Sequence, residues 1–237
     1  MPIAFRDRVH AGQQLARELG QYARQPDTIV LGLARGGVPV ASEVARLLDL
    51  PLDVFVVRKL GVPGQEELAM GAIASGGIRV LDTRLISQLH ISDALVAHAT
   101  SREHRELQRR EDAYRDTRPT PDVHGQTVVL VDDGLATGAS MFAAVAALRA
   151  AKPARIVVAV PVASQEACAA MRTVADDCVC ALVPKHFVGV GAWYADFSQT
   201  GDAEVRSLLD AAARRSGAAR DPRQLAPVRE PLAAPPY

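Results

Sequence analysis

One stretch constrains the fold more than any other: Val128-Val129-Leu130-Val131-Asp132-Asp133-Gly134-Leu135-Ala136-Thr137-Gly138-Ala139-Ser140. Four consecutive aliphatic residues read as a strand buried on both faces, the pattern of a parallel sheet. Two carboxylates close it, and after a short loop the Ala-rich run from Met141 to Ala151 reads as a helix. Strand, tight turn and helix N-terminus in that order leave free backbone N–H groups and the positive end of the helix dipole facing the loop, which is a site for an anion. Thr137 and Ser140 add hydroxyls, and Gly138 lets the backbone come close to a bulky group. The acid pair is what a plain anion site would lack. Carboxylates accept hydrogen bonds, so Asp132 and Asp133 ask for hydroxyls, or for a cation, beside the anion. A ribose 5-phosphate moiety satisfies both halves.

The rest of the chain supplies the frame. Thr28 to Leu33 is a second buried strand; it runs into Ala34-Arg35-Gly36-Gly37 and a helix reaching about Asp49. Successive amides in a glycine-rich turn form an anion-binding concavity, and Arg35 adds a fork suited to phosphate oxygens. Leu52 to Val57 is another strand, ending in Arg58-Lys59, and two more follow the central motif at Arg155–Val160 and Cys178–Val183, separated by a helix that Ser164 caps. This alternation predicts a three-layer α/β/α fold on a mainly parallel five-stranded sheet. Ligands bind such sheets at the carboxyl ends of strands, where the strand order reverses. If the first strand lies beside the central one, Arg35-Gly36-Gly37 faces the 132–140 loop across that point.

Other segments read as accessories. Residues 5–24 form an amphipathic helix with Val9, Leu15, Leu19 and Tyr22 near one stripe. Residues 60–68 are polar and rich in Gly and Pro, the composition of a mobile loop, and within them Glu66 or Glu67 is a candidate general acid or base. Residues 69–74 and 78–81 pair as a hairpin. Residues 84–117 form a helical insertion, charged on most faces and so either solvated or packed on a partner subunit. Residues 184–200 hold Phe187, Trp193, Tyr194 and Phe197, together with Lys185 and Asp196. After a last helix over 202–213, residues 214–237 read as a disordered tail.

Composition excludes several classes. The chain has 27 Lys plus Arg against 27 Asp plus Glu, so no basic field attracts nucleic acid in bulk. No apolar run suits a membrane span, and the start lacks a signal-peptide core, so a cytoplasmic protein is expected. Three cysteines give no disulfide framework, no Cys/His spacing suggests zinc, and Cys178 and Cys180 read as small apolar residues on one strand face.

The central stretch resembles the PRPP-binding motif of type I phosphoribosyltransferases: aliphatic strand, two acids, three variable residues, Thr-Gly, one variable residue, then Ser or Thr. Phe5-Arg6-Asp7-Arg8, Arg58-Lys59-Leu60-Gly61 and Tyr194-x-Asp196-Phe197-Ser198 add a resemblance to bacterial members of that family with no assigned acceptor. One domain over 1–213 is then implied, with a small hood at about 184–200. The resemblance implies roles for particular residues. Asp132 and Asp133 hold the ribose hydroxyls; Gly134, Ala136, Thr137, Gly138, Ala139 and Ser140 hold the 5′-phosphate. Arg35, Gly36 and Gly37 receive pyrophosphate, and Arg58 and Lys59 join them when a loop closes. Trp193, Tyr194, Asp196 and Phe197 are candidates for a nucleobase-like acceptor. Mg²⁺ is expected mainly through PRPP and pyrophosphate, with no direct protein ligand, and a homodimer is the family's habit. Ala136 stands where 6-oxopurine enzymes carry Asp, and Leu135-Ala136-Thr137-Gly138 is similar to the adenine enzymes' motif. A PRPP- or nucleotide-sensing regulator is the alternative function.

Overall fold

Strands and helices alternate as the hydrophobic runs require, in a computed structural model that describes residues 3–115 and 118–218. The elements are α1 (Arg8–Glu18), β1 (Thr28–Leu33), α2 (Gly37–Leu48), β2 (Leu52–Phe55), β3 (Val57–Val62), β4 (Gln65–Ala74), β5 (Ile78–Leu81), α3 (Thr83–Gln88), α4 (Asp93–Arg115), β6 (Thr127–Val131), α5 (Ala139–Ala150), β7 (Arg155–Val162), α6 (Gln165–Met171), β8 (Asp177–Leu182) and α7 (Asp202–Ala218). Five strands form a parallel sheet in the order β2-β1-β6-β7-β8. Because side chains alternate across a strand, Val30, Val129, Val131, Val157 and Ala159 face α1 and α2. Ile29, Leu31, Val128, Leu130, Ile156 and Val158 face α5 and α6. Both faces are covered, which is why these strands read as unbroken aliphatic runs. Each such side chain contributes roughly 1.5–3 kcal/mol on burial.

Strands β3, β4 and β5 form a separate antiparallel sheet. The chain leaves the main sheet at Val56, whose N–H donates to Ser75 Oγ at 3.0 Å while Ser75 N–H donates back to Val56 O at 2.9 Å. This second sheet corrects the loop expected over 60–68. Pro63-Gly64 is only the turn between two strands: proline presets its own backbone angle, and Gly64 takes φ +79°. The Gly/Pro content marks a tight reversal, not a long cover.

Thr83–Gln88 and Asp93–Arg115 of this segment are helical, and α4 buries one stripe within its own chain while most of its surface is exposed. Val96, Ala99, Leu107 and Tyr114 of α4 pack with Leu60 and Met70 of the small sheet and with Val205 and Leu209 of α7. Its charged surface hid a one-sided apolar stripe. Arg115 is 4% exposed and satisfied by Asp53, Glu111, Thr120 and the Val54 carbonyl. The first helix is shorter than expected. Asp7 caps α1 by accepting from His10 N–H at 2.7 Å, Val9 points outward, and a 3-10 turn at Gly20–Tyr22 completes the buried stripe. Helix α7 runs past the expected end at 213 to Ala218, and residues 219–237 of the expected tail lie outside the described residues. No described helix is long and apolar enough to cross a membrane.

Candidate active site at the β1–β6 switch point

From β1 the sheet grows toward β2, and from β6 toward β7, so the carboxyl ends of β1 and β6 flank the reversal. The 34–37 and 132–138 loops therefore meet. A Cβ on Gly37 would lie 2.8 Å from Asp132 Cα, and one on Gly36 would fall onto the Asp133 carboxylate. Only glycines let the first loop lie against the acid pair. Its Ala34–Arg35 peptide is cis.

The two acids have different surroundings. Asp132 Oδ1 accepts the Asp133 N–H at 2.9 Å, and burial, then the neighbouring Asp133 charge, push its carboxyl well above the usual range. Asp133 Oδ2 accepts from Arg8 Nε at 2.9 Å and Arg8 Nη2 at 2.8 Å. Burial raises the Asp133 carboxyl as well, but the Arg8 charge opposes the rise. Tyr194 Oη donates to the Asp133 backbone carbonyl at 2.6 Å, and burial, then Asp133, raise its phenol.

The loop after the acids is fastened on its far side. Leu135 is buried, and its N–H donates to Val162 O at 2.8 Å. Ser164 N–H donates to Leu135 O and Ser164 Oγ to Ala136 O, both at 2.9 Å, while the same hydroxyl caps α6 by accepting from Ala167 N–H. Gly138, at φ +75°, then turns the chain into α5. Thr137, Ala139 and Ser140 are exposed along a cavity of about 320 Å³ that Lys59, Asp132, Gly134 and Val190 also line. First-turn N–H groups of a helix have no intrahelical partner, so this cavity opens onto hydrogen-bond donors.

Comparisons with known proteins place the chain in a family. Residues 6–196 match the family model for the phosphoribosyl transferase domain. Two Mycobacterium tuberculosis proteins, from strains CDC 1551 / Oshkosh and H37Rv, carry provisional phosphoribosyl transferase names. Each is 45% identical over 210 residues, covering 89% of this chain and 47% of the relative. The chain thus spans about half the length of these curated relatives. The crystal structure of TT1426 from Thermus thermophilus superposes with a TM-score of 0.79 at 45% identity, covering 86% of this chain and 97% of that one. The chain belongs to the type I phosphoribosyltransferase family.

Within that family frame, several expected residues sit elsewhere than the sequence suggested. Arg35 Nη1 lies 3.7 Å from Asp202 Oδ1, an acid that also accepts from Tyr114 Oη at 2.8 Å. Arg58 donates twice to Glu103 Oε2, at 2.8 and 2.6 Å. Only Lys59 of the basic pair lines the cavity at the α5 N-terminus. Glu66 is exposed at a smaller cavity beside Arg58 and Ser140, and the Glu67 side chain lies outside the described residues.

The candidate acceptor residues differ in their surroundings. Trp193 and Tyr194 are 6% and 5% exposed, because they pack with Phe5, Ala11 and Val162 in a small core of their own. One face of Phe197 is taken by the Arg8 guanidinium, 4.0 Å from the ring centroid. Asp196 is exposed, and the N–H of Ser198 that it accepts holds its carboxyl below the usual range. The same segment is tied to the residues around α1's start. Phe5 and Ala4 N–H groups donate to Trp193 O, Ala195 and Asp196 N–H groups donate back to Phe5 and Arg6 carbonyls, and Arg8 Nη1 donates to Ser198 O at 2.7 Å. Arg8 is the residue the sequence reading left without a role. Its only signal was the Phe5-Arg6-Asp7-Arg8 run in the resemblance, since nothing local says that residues 8 and 133 meet.

A larger cavity, about 740 Å³, adjoins the one at the α5 N-terminus and shares Ala136 and Thr137 with it. Gln165, Glu166, Lys185, His186 and Phe187 line its other walls.

Proposed function

We propose that the chain binds PRPP with Mg²⁺ and transfers the 5-phosphoribosyl group to a ring nitrogen of a nucleobase-like acceptor, releasing pyrophosphate. The observation that carries this reading is the meeting of three features in one crevice: an acid pair, a two-glycine turn against it, and an open helix N-terminus beyond it. A ligand with phosphate at both ends of a hydroxylated sugar suits them.

In this reading the first turn of α5, with Thr137, Gly138, Ala139 and Ser140, anchors the 5′-phosphate, and Gly134 and Ala136 carry the loop past the sugar. Asp132 and Asp133 hold the ribose hydroxyls and stabilise positive charge developing at the sugar carbon as pyrophosphate leaves. The amides of Gly36 and Gly37, with Lys59, receive pyrophosphate. Arg35 and Arg58 join after exchanging Asp202 and Glu103 for the ligand's oxygens. The hard oxygens of the acid pair suit Mg²⁺, but Arg8 already occupies Asp133, so the set fits an ion shared with the ligand better than a cage made by the protein. Bound in that way, Mg²⁺ supplies charge that offsets the leaving group.

The acceptor is assigned to the larger cavity, where half-buried Phe187 offers an aromatic face and Lys185 and Glu166 offer polar edges. The same reading makes the protein a cytoplasmic homodimer with small-molecule substrates. A binding-only sensor is the second reading. The observation favouring it is that both arginines meant for pyrophosphate are held by acids of their own chain.

The test is pyrophosphate release from PRPP and Mg²⁺ across purine, pyrimidine and pyridine bases. Release with one base, abolished by Asp132→Asn/Asp133→Asn, supports the transferase. Tight PRPP binding with no turnover on any base supports the sensor.

A further inference from the structure

All three cysteines of the chain meet at one point. Cys168 is on α6, and Cys178 and Cys180, two apart on β8, share the strand face that α6 covers. Cys180 Sγ lies 2.8 Å from Cys168 Sγ and 3.7 Å from Cys178 Sγ, and the three sulfurs fall within 4.8 Å of one another. All are free thiols; Cys168 and Cys178 are buried and Cys180 is partly exposed, which gives the cluster an entry side. No His, Asp or Glu belongs to the group among the described residues. Val158, Ala167 and Met171 belong to the apolar cluster around it.

Small apolar residues would fill this volume equally well, and the reading of Cys178 and Cys180 as such explains neither the third sulfur nor its convergence. We propose that the triad is a binding site for a soft ion of low coordination number, Cu(I), held by three sulfurs. Soft sulfur ligands select Cu(I), zinc or iron–sulfur clusters. Structural zinc takes four protein ligands, and iron–sulfur clusters take four cysteines, whereas this site offers three donors and no nitrogen or oxygen. Metal–sulfur bonds of about 2.3 Å around a trigonal centre space the sulfurs by about 4 Å. The 3.7 Å pair is already near that spacing, and the 2.8 Å pair opens if the partly exposed Cys180 rotates. Binding exchanges protons only: Cu⁺ plus three Cys–SH gives [Cu(S–Cys)₃]²⁻ plus three H⁺, with no change of oxidation state. Arg172, which ends α6, acts electrostatically on Cys178 and offsets part of that charge.

The site has a consequence for the crevice, although it does not depend on the function proposed above. An ion joining α6 to β8 fixes the helix whose cap, Ser164, holds the Ala136 carbonyl of the 132–138 loop.

The experiment is an anaerobic titration of the reduced full chain with Cu(I) against a chromophoric Cu(I) chelator, with Zn(II) as a parallel arm. The expected result is one Cu(I) per chain, a sulfur-to-copper charge-transfer band, and loss of all three thiols from a thiol-counting reagent. Mass mapping of alkylation in the unaltered chain should show Cys168, Cys178 and Cys180 protected together, a readout that needs no variant to fold. Cys168→Ser and Cys178→Ser should each lose stoichiometric uptake. Uptake no stronger than that of free glutathione, full uptake retained by a serine variant, or tighter binding of Zn(II) than of Cu(I) overturns the proposal.

Discussion

The two walls of the crevice are built in opposite ways. The wall at the α5 N-terminus comes from one continuous stretch, residues 132–140, and offers backbone donors at the start of a helix. The acid-side wall comes from residues 5–8 and 193–198, which are remote in sequence, and is closed by side chains: Arg8 on Asp133, Tyr194 under it, Phe197 against the guanidinium. One wall presents backbone donors, while the other contains a carboxylate with its own countercharge. Binding chemistry carried by the backbone is encoded locally, whereas tuning of a carboxylate needs long-range contacts.

Variants around the crevice test that contrast. The largest effect should come from Gly37→Val, because a side chain there collides with Asp132 Cα and the Val131 carbonyl. PRPP binding, measured by calorimetry, should weaken by at least ~100-fold, about 3 kcal/mol. Next is Arg8→Ala, which leaves the Asp133 carboxylate without its charged donor. The expected loss of stability is about 1.5–3 kcal/mol, the range for hydrogen bonds to charged groups, read by urea denaturation. Arg8→Lys should recover part of it. If Arg8→Ala is as stable as the parent, the Arg8–Asp133 pair has no energetic content.

Asp132→Asn should act with the opposite sign on the ligand-free protein. Folding raises the Asp132 pKa above its ordinary 3.8, so the folded state holds this proton more tightly than the unfolded chain does. That contribution is present below the unfolded value and is lost as pH rises through the folded one. At pH 7 the ionised carboxylate therefore costs stability, and Asn should raise Tm by about 2–4 °C per kcal/mol relieved. Near pH 3 the gain should vanish. A gain that persists in acid would place its cause elsewhere. The smallest effect belongs to Ser164→Ala, which removes the α6 cap and the bond to Ala136 O. About 1 kcal/mol of stability and a modest loss of PRPP affinity are expected, by thermal unfolding and calorimetry.

The sequence carried the parallel sheet because each core strand is an unbroken aliphatic run, and the Asp132–Ser140 loop because strand, acids, Thr-Gly and helix are contiguous. The adjacency of β1 and β6 was only a condition of the sequence reading, because no local pattern states which parallel strands pair, and the structure supplies it. The β3–β4 hairpin was missed because Pro63 and Gly64 carry the same signal in a two-residue turn as in a loop. Trp193 and Tyr194 could not be placed from pattern alone, because an aromatic that packs on Phe5 reads the same as one that stacks on a ligand. Arg8, Glu103 and Asp202 take their parts from partners 125, 45 and 88 residues away, separations that no local pattern reports. The thiol cluster was hidden likewise, since Cys168 joins Cys178 and Cys180 only when α6 folds over β8.

The central claim is that the acid pair and the α5 N-terminus together bind PRPP. The most direct measurement is calorimetric titration of the ligand-free chain with PRPP in the presence and absence of Mg²⁺, repeated on Asp132→Asn/Asp133→Asn. Mg²⁺-dependent binding at one site per chain is expected, weakened in the variant by at least ~100-fold, about 3 kcal/mol. Absence of binding to the unaltered chain, or equal affinity in the variant, would contradict it.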